Sequence, residues 1–185
     1  GMLRARAAFA GLVAAEPANP ALHYWVALSG WRALPLVTET DKEAAKKLCK
    51  ESIAACDRAL AAKPKFSDAI ALKAGLQALS LSFNPAATMT LGPEMEEAYG
   101  RAEGMEGDNP RVLLLKGINT LHKPAFVGGG PDKARPLFER AIALSAAPTA
   151  DSTAIDWGRA DAHIWAGVCL GRLDQWGAAT AEFRK

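Results

Sequence analysis

The sequence is short of everything that would staple a small chain together or tie it to one kind of charged partner. Of 185 residues only three are cysteines, Cys49, Cys56 and Cys169, an odd number without metal-ligand spacing. Neither a disulfide framework nor a zinc site follows from that pattern. Cys49 and Cys56 can share one helix face and read as core thiols. An excess of one charge is missing too. The 22 Lys and Arg and 20 Asp and Glu are interspersed, for a net charge of +2. That pattern excludes a basic nucleic-acid footprint and an acidic tail. No apolar run reaches the roughly 18 residues that a bilayer span needs, so no membrane span is expected. Strand signals are nearly absent. What is present is 50% hydrophobic residues, enough at this length to bury a core without metal or disulfide.

The stretch Met2 to Ala15 (MLRARAAFAGLVAA) starts basic and turns apolar, as a minimal signal peptide does. Leu3, Ala5, Phe9, Leu12 and Val13 nevertheless fall on one side of a helix, which Glu16-Pro17 then closes. The pattern predicts an amphipathic helix over this stretch.

Internal repetition organises the rest. Ala5, Phe9 and Pro17 occupy small, aromatic and proline slots that recur as Ser52, Cys56, Ala59 and Pro64. Further copies are Tyr99 and Ala102, then Ala134, Phe138 and Ala141, then Ala179 and Phe183. A preceding helix in each later copy carries a glycine: Gly30, Gly75, Gly117 and Gly167. Small residues let paired helices approach, aromatics fill the space between pairs, and proline ends the second helix. This pattern resembles the tetratricopeptide repeat, with helix A holding the glycine and helix B the small and aromatic slots. Thr40-Asp41-Lys42-Glu43 reads as a capping box, and Gly92-Pro93-Glu94 as a helix start. Pro136 is tolerable if Asp132 caps its helix.

The predicted fold is therefore all-α: a right-handed superhelical array of antiparallel helix hairpins, a tetratricopeptide-like α-solenoid of about nine helices. One domain spans 1–185, with a lone helix B at 1–17 and repeats at 20–64, 67–107, 109–146 and 159–185. From the helix A glycine to the small residue of helix B the repeat needs 12 residues, as Gly167 to Ala179 has. The earlier copies stretch this to 22, 20 and 17. The excess is expected in the A-to-B turns, on one edge of the array, where insertions often mark a binding face.

Five segments carry a closer resemblance: HYWVAL at 23–28, LSFNPAATMTLGPEM at 81–95, NPRVLLLKG at 109–117, FVGGGPDKA at 126–134 and WGRADAHIWAG at 157–167. Together they resemble a group of uncharacterised bacterial tetratricopeptide proteins, many of which look exported. The resemblance implies a periplasmic or otherwise exported location, a cytoplasmic one staying open, and it implies no activity. The chain is more loosely similar to periplasmic tetratricopeptide subunits of solute-uptake systems, which carry apolar ligands.

No catalytic, cofactor or metal residue is expected. Gly128-Gly129-Gly130 precedes a helix and invites a phosphate reading. No strand precedes it and no Gly-Lys-Ser/Thr follows, so Phe126 and the three glycines read as a flexible inserted turn. His23, His122 and His163 lie on three different A helices, with no partner placed to complete a metal site. Counting from each glycine puts Tyr24, Ala27 and Trp31, then Leu72, Leu76 and Leu79, on a concave helix A face. Arg111, Leu114, Ile118 and His122 follow, then Asp161, Ile164, Val168 and Arg172. The alternative for these side chains is packing against neighbouring helices. The function expected first is a non-catalytic scaffold whose groove and inserted turns take a protein or peptide. The alternative is an exported carrier of a small apolar ligand.

Overall fold

A computed structural model describes residues 1–145 and 155–185. Among them lie nine α-helices, two short 3-10 turns and no strand, so the all-α expectation holds. The helices are α1 (Met2–Ala15), α2 (Pro20–Thr40), α3 (Lys42–Ala62), α4 (Ser67–Ser80) and α5 (Thr88–Met105). They continue as α6 (Pro110–His122), α7 (Pro131–Leu144), α8 (Arg159–Gly171) and α9 (Trp176–Phe183). The expected end of the third repeat, at 146, lies outside the described residues. The chain forms two compact units, Gly1–Met105 and Glu106–Lys185, and within each unit every helix packs on the next.

One local device opens α2 and α6 alike. Asn19 Oδ1 accepts from the Ala21 N–H at 3.0 Å, and Glu16 accepts from Asn19 Nδ2 at 2.9 Å. Asn109 Oδ1 accepts from the Arg111 N–H at 3.0 Å, and Glu106 accepts from Asn109 Nδ2 at 2.9 Å. A proline follows each cap, Pro20 or Pro110, at a position whose N–H has no helical partner in any case. Caps of this kind contribute about 1 kcal/mol each.

In the first unit, α2 and α3 are both 21 residues long and meet through Asp41 alone. The excess of the first copy therefore lengthens both helices and forms no inserted turn, contrary to expectation. Asp41, not Thr40, caps α3, accepting from the Ala44 N–H at 3.0 Å. Thr40 Oγ1 instead donates to the Val37 carbonyl at 3.2 Å and closes α2. In the second copy the excess is shared between a real turn, with a 3-10 segment at Pro85–Ala87, and an early start of α5 at Thr88. Pro93 consequently lies inside α5 rather than at its start. Pro136 lies inside α7, whose N-cap position is Gly130, so Asp132 is not the cap. Both prolines are exposed, where water can take the carbonyl that each leaves unpaired. In the third copy the excess does form a turn, 123–130, as expected.

The core of the first unit centres on Tyr24, whose ring packs on Phe66 at 5.2 Å, with the Lys63 ammonium 4.8 Å above the Phe66 ring. Phe9 of α1 stacks on Trp25 of α2, and Arg6 pairs with Glu51 of α3 at 3.0 Å. In the second unit, Leu113, Leu114, Leu121, Ala134, Phe138 and Ala141 build the core with Ala162, Ala166 and Cys169.

The glycine slots of the first, third and fourth copies behave as close-approach points. A Cβ on Gly30 would overlap Ser52 of α3, one on Gly117 would sit 2.7 Å from the Phe138 ring, and one on Gly167 would overlap the Phe183 ring. The glycine thus faces the aromatic slot in the third and fourth copies but the small slot in the first. Phe138 is wholly buried whereas Phe183 is 54% exposed, so only the second ring has room to move. Gly117→Ala is accordingly expected to destabilise by about 1–3 kcal/mol, with Gly167→Ala clearly less costly. Urea unfolding of the two variants measures the difference, and equal losses would contradict this packing.

α9 is held to α8 by His163 Nδ1 and Glu182 Oε2 at 2.7 Å, and Lys185 donates to the other Glu182 oxygen at 3.0 Å. Burial alone would raise the Glu182 carboxyl, but hydrogen bonds from His163 and Lys185 hold it below its ordinary value. A carboxyl whose folded pKa is depressed adds stability above its unfolded pKa and loses it as pH falls through the folded one. Glu182→Gln is expected to lower the thermal midpoint at neutral pH and to flatten its decline below about pH 4. Parallel acid limbs in the two proteins would rule the pair out as a contributor.

Candidate functional site

The residues expected to line a concave groove divide into two sets. Tyr24, Leu72 and Leu76 are 0% exposed, as are Ala27 and Leu114, so they are core and not groove. The physical reason is neighbour packing: Tyr24 lies under Phe66, and Cys49 of α3 donates its Sγ hydrogen to the Leu76 carbonyl at 3.4 Å. Trp31 stays half-buried on α2.

In the second unit α6 and α8 touch, and the expected residues there meet neighbours outside the expected set. The His122 ring meets Trp165 edge-on at 5.5 Å, and Arg172 Nη1 donates to the Leu121 carbonyl at 3.0 Å. Arg111 runs beside Gly158 at the start of α8. Arg111, Ile118 and Val168 are half-buried, while His122, Ile164 and Arg172 are exposed.

The three histidines have local partners. His23 Nε2 donates to the Pro17 carbonyl at 2.8 Å and His122 Nδ1 to the Ile118 carbonyl at 2.9 Å, while His163 meets Glu182. Among the described residues no group of three His, Cys, Asp or Glu side chains is placed to hold a metal.

The 123–130 segment is a built turn and not a loose one. Gly130 N–H reaches the Thr120 carbonyl at 2.8 Å, and Gly129 N–H the Pro124 carbonyl at 3.1 Å. Gly128 and Gly130 have φ of 83° and 104°, which side chains rarely adopt, and a Cβ on Gly129 would overlap Lys123. Phe126 stands out from it, 89% exposed.

A cleft lies elsewhere, in the first unit, between the N-terminal half of α3 and the turn that joins α4 to α5. Its volume is about 490 Å³. One wall is α3, with Glu43, Lys46, Lys47, Cys49, Lys50 and Ile53. The other is Ser80, Phe83 and Asn84 from the end of α4 and its turn, then Ala87 and Leu91. Its origin is a mismatch of lengths, since α4 has 14 residues against the 21 of α3. At 1.5 Å per residue the difference leaves about 10 Å of α3 without α4 beside it.

The chemistry of the cleft is two-sided. Phe83, Ala87, Leu91 and Ile53 give an apolar surface, and Lys46, Lys47 and Lys50 bring three cations to its lining. Among the described residues none of these lysines is in an ion pair. Cys49 is 2% exposed, and burial pushes its thiol up to about 11, so it is protonated and unreactive at neutral pH. The arrangement suits a ligand with an apolar body and carboxylate or similar groups.

Sequence reasoning missed this site. Its signals were present as Lys46, Lys50 and Ile53 at helical spacing, and Phe83, Ala87 and Leu91 four apart.

No known family profile and no curated protein sequence matches the chain. Among solved structures the chain is similar to the HusA haemophore from Porphyromonas gingivalis. The TM-score is 0.73 at 26% sequence identity, covering 92% of this chain and 84% of that one.

Proposed function

We propose that the chain is a non-catalytic, exported carrier that holds a flat amphipathic ligand, haem or a kindred tetrapyrrole, in the lysine-lined cleft of its first unit. The observation that carries this reading is the cleft itself: about 490 Å³ of largely apolar space with three unpaired lysines in its lining. Small-molecule sites run at roughly 300–1,000 Å³ and combine an apolar lining with a few placed polar groups. A tetrapyrrole with two propionates meets both requirements. The likeness to a haemophore supports the same ligand class and an exported location. A tetratricopeptide-like superhelix remains our reading of the architecture. The scaffold function expected first from the sequence is less favoured, because Tyr24, Leu72 and Leu76 are taken up by the core.

No histidine lines the cleft, and the Cys49 thiol is protonated. The ring and its carboxylates, not the iron, are therefore what these residues would grip. Titration of haemin and of metal-free protoporphyrin, followed by absorbance, is expected to give similar affinities. Lys46→Glu and Lys50→Glu should each weaken binding by about tenfold, the loss of one charge-assisted contact. Leu91→Asp should weaken it further by placing a carboxylate against the ring. A protein that binds neither pigment, or whose lysine variants bind as tightly as the parent, would overturn the proposal. Native mass spectrometry of gently purified protein separates the readings further. A small molecule supports the carrier, and a polypeptide supports the scaffold.

A further inference from the structure

We propose that the turn at 123–130 is a membrane-contact tip, which seats Phe126 and Val127 in the interface of a lipid bilayer. The inference stands independently of the ligand proposed for the cleft. Three observations carry it. First, Pro124, Ala125, Phe126 and Val127 are four consecutive exposed apolar residues, with Phe126 89% and Val127 49% exposed. Scattered exposed apolar residues are ordinary, but a contiguous run held out from the surface is not.

Second, much of the backbone around the tip is bonded internally. The N–H groups of Lys123, Val127, Gly128, Gly129 and Gly130 all bond to carbonyls within 119–125. Pro124 has no N–H, so only Ala125 and Phe126 bring donors unmatched by these bonds. Entry into a lipid interface costs least for a backbone whose polar groups are paired internally. Third, residues 124–130 contain no polar side chain. A protein partner would draw on a rim of hydrogen bonds around the aromatic anchor, and this tip has little to give one. The positive φ values of Gly128 and Gly130 fix its shape before contact, so little ordering accompanies docking. In sequence, Lys123 and Lys133 lie on either side of the tip with Asp132 beside the second, a net charge of +1 that anionic lipid should favour modestly. A single aromatic tip buries much less apolar area than an acyl chain, so the attachment is weaker than that of one lipid chain and reversible.

Flotation of the full-length chain with vesicles tests the idea, using phosphatidylcholine alone and phosphatidylcholine with phosphatidylglycerol. The parent protein should float with both, and more with the second. Phe126→Asp should lower the bound fraction by about tenfold, and Phe126→Leu should retain most of it. Neither change should move the thermal midpoint, since the side chain is exposed. A parent protein that stays with neither vesicle, as it would if the tip hooks a protein instead, overturns the proposal. So does a Phe126→Asp variant that floats as well as the parent, which would assign the contact to the lysines.

Discussion

Unequal helix lengths are the constraint on which the candidate site depends. α2 and α3 match each other at 21 residues and cover each other fully, but α4 stops after 14. The chain leaves the helix at Leu81, and the N-terminal turns of α3 are left with one flank uncovered. The 3-10 turn at Pro85–Ala87 and the first turns of α5 close over that flank without filling it. Apolar side chains from both sides then face one another across a space too wide for direct packing. The exposed lysines of α3 stand beside it because a helix that is half-covered alternates apolar and charged residues around its axis.

The remainder of the structure is built to keep those helices in place. Close approach at Gly30, Gly117 and Gly167 sets the spacing inside three hairpins, and in each case a side chain of the partner helix fills the space a Cβ would take. Buried aromatics give each unit its own centre, Tyr24 and Tyr99 in the first and Phe138 in the second. Burial also drives the Tyr99 hydroxyl and the Cys56 thiol well above their ordinary values, so both are neutral packing groups. The ion pairs that link helices, such as Lys73 with Asp57, are partly exposed and contribute orientation more than stability.

Much of the fold was legible in the sequence because glycine, aromatic and proline slots are set by helix contact. What misled was the count of residues between slots. An interval of 22 looks the same on paper whether the surplus forms a loop or about one and a half extra turns on each helix. Asp41, a single strong cap between two helical patterns, was the residue that pointed to the second outcome. The groove set failed in the first unit for a related reason. Helix A there is covered from more than one side, so a face read as open, with Tyr24, Leu72 and Leu76, is core. The cleft escaped notice because it belongs to no single helix. Lys46, Lys50 and Ile53 read as an ordinary solvated face until Phe83, Ala87 and Leu91 are brought opposite them. The Glu16–Pro20 and Glu106–Pro110 caps, in contrast, were readable as a repeated Glu-x-x-Asn-Pro and mark the opening of α2 and α6.

Amide chemical-shift mapping with metal-free protoporphyrin measures ligand capture by the α3 wall and the α4–α5 turn directly. The ring current of a bound porphyrin should move the amides of residues 43–53 and 80–91 most. Shifts centred instead on 111–122 and 161–172 would place the ligand between α6 and α8 and contradict the assignment of the cleft.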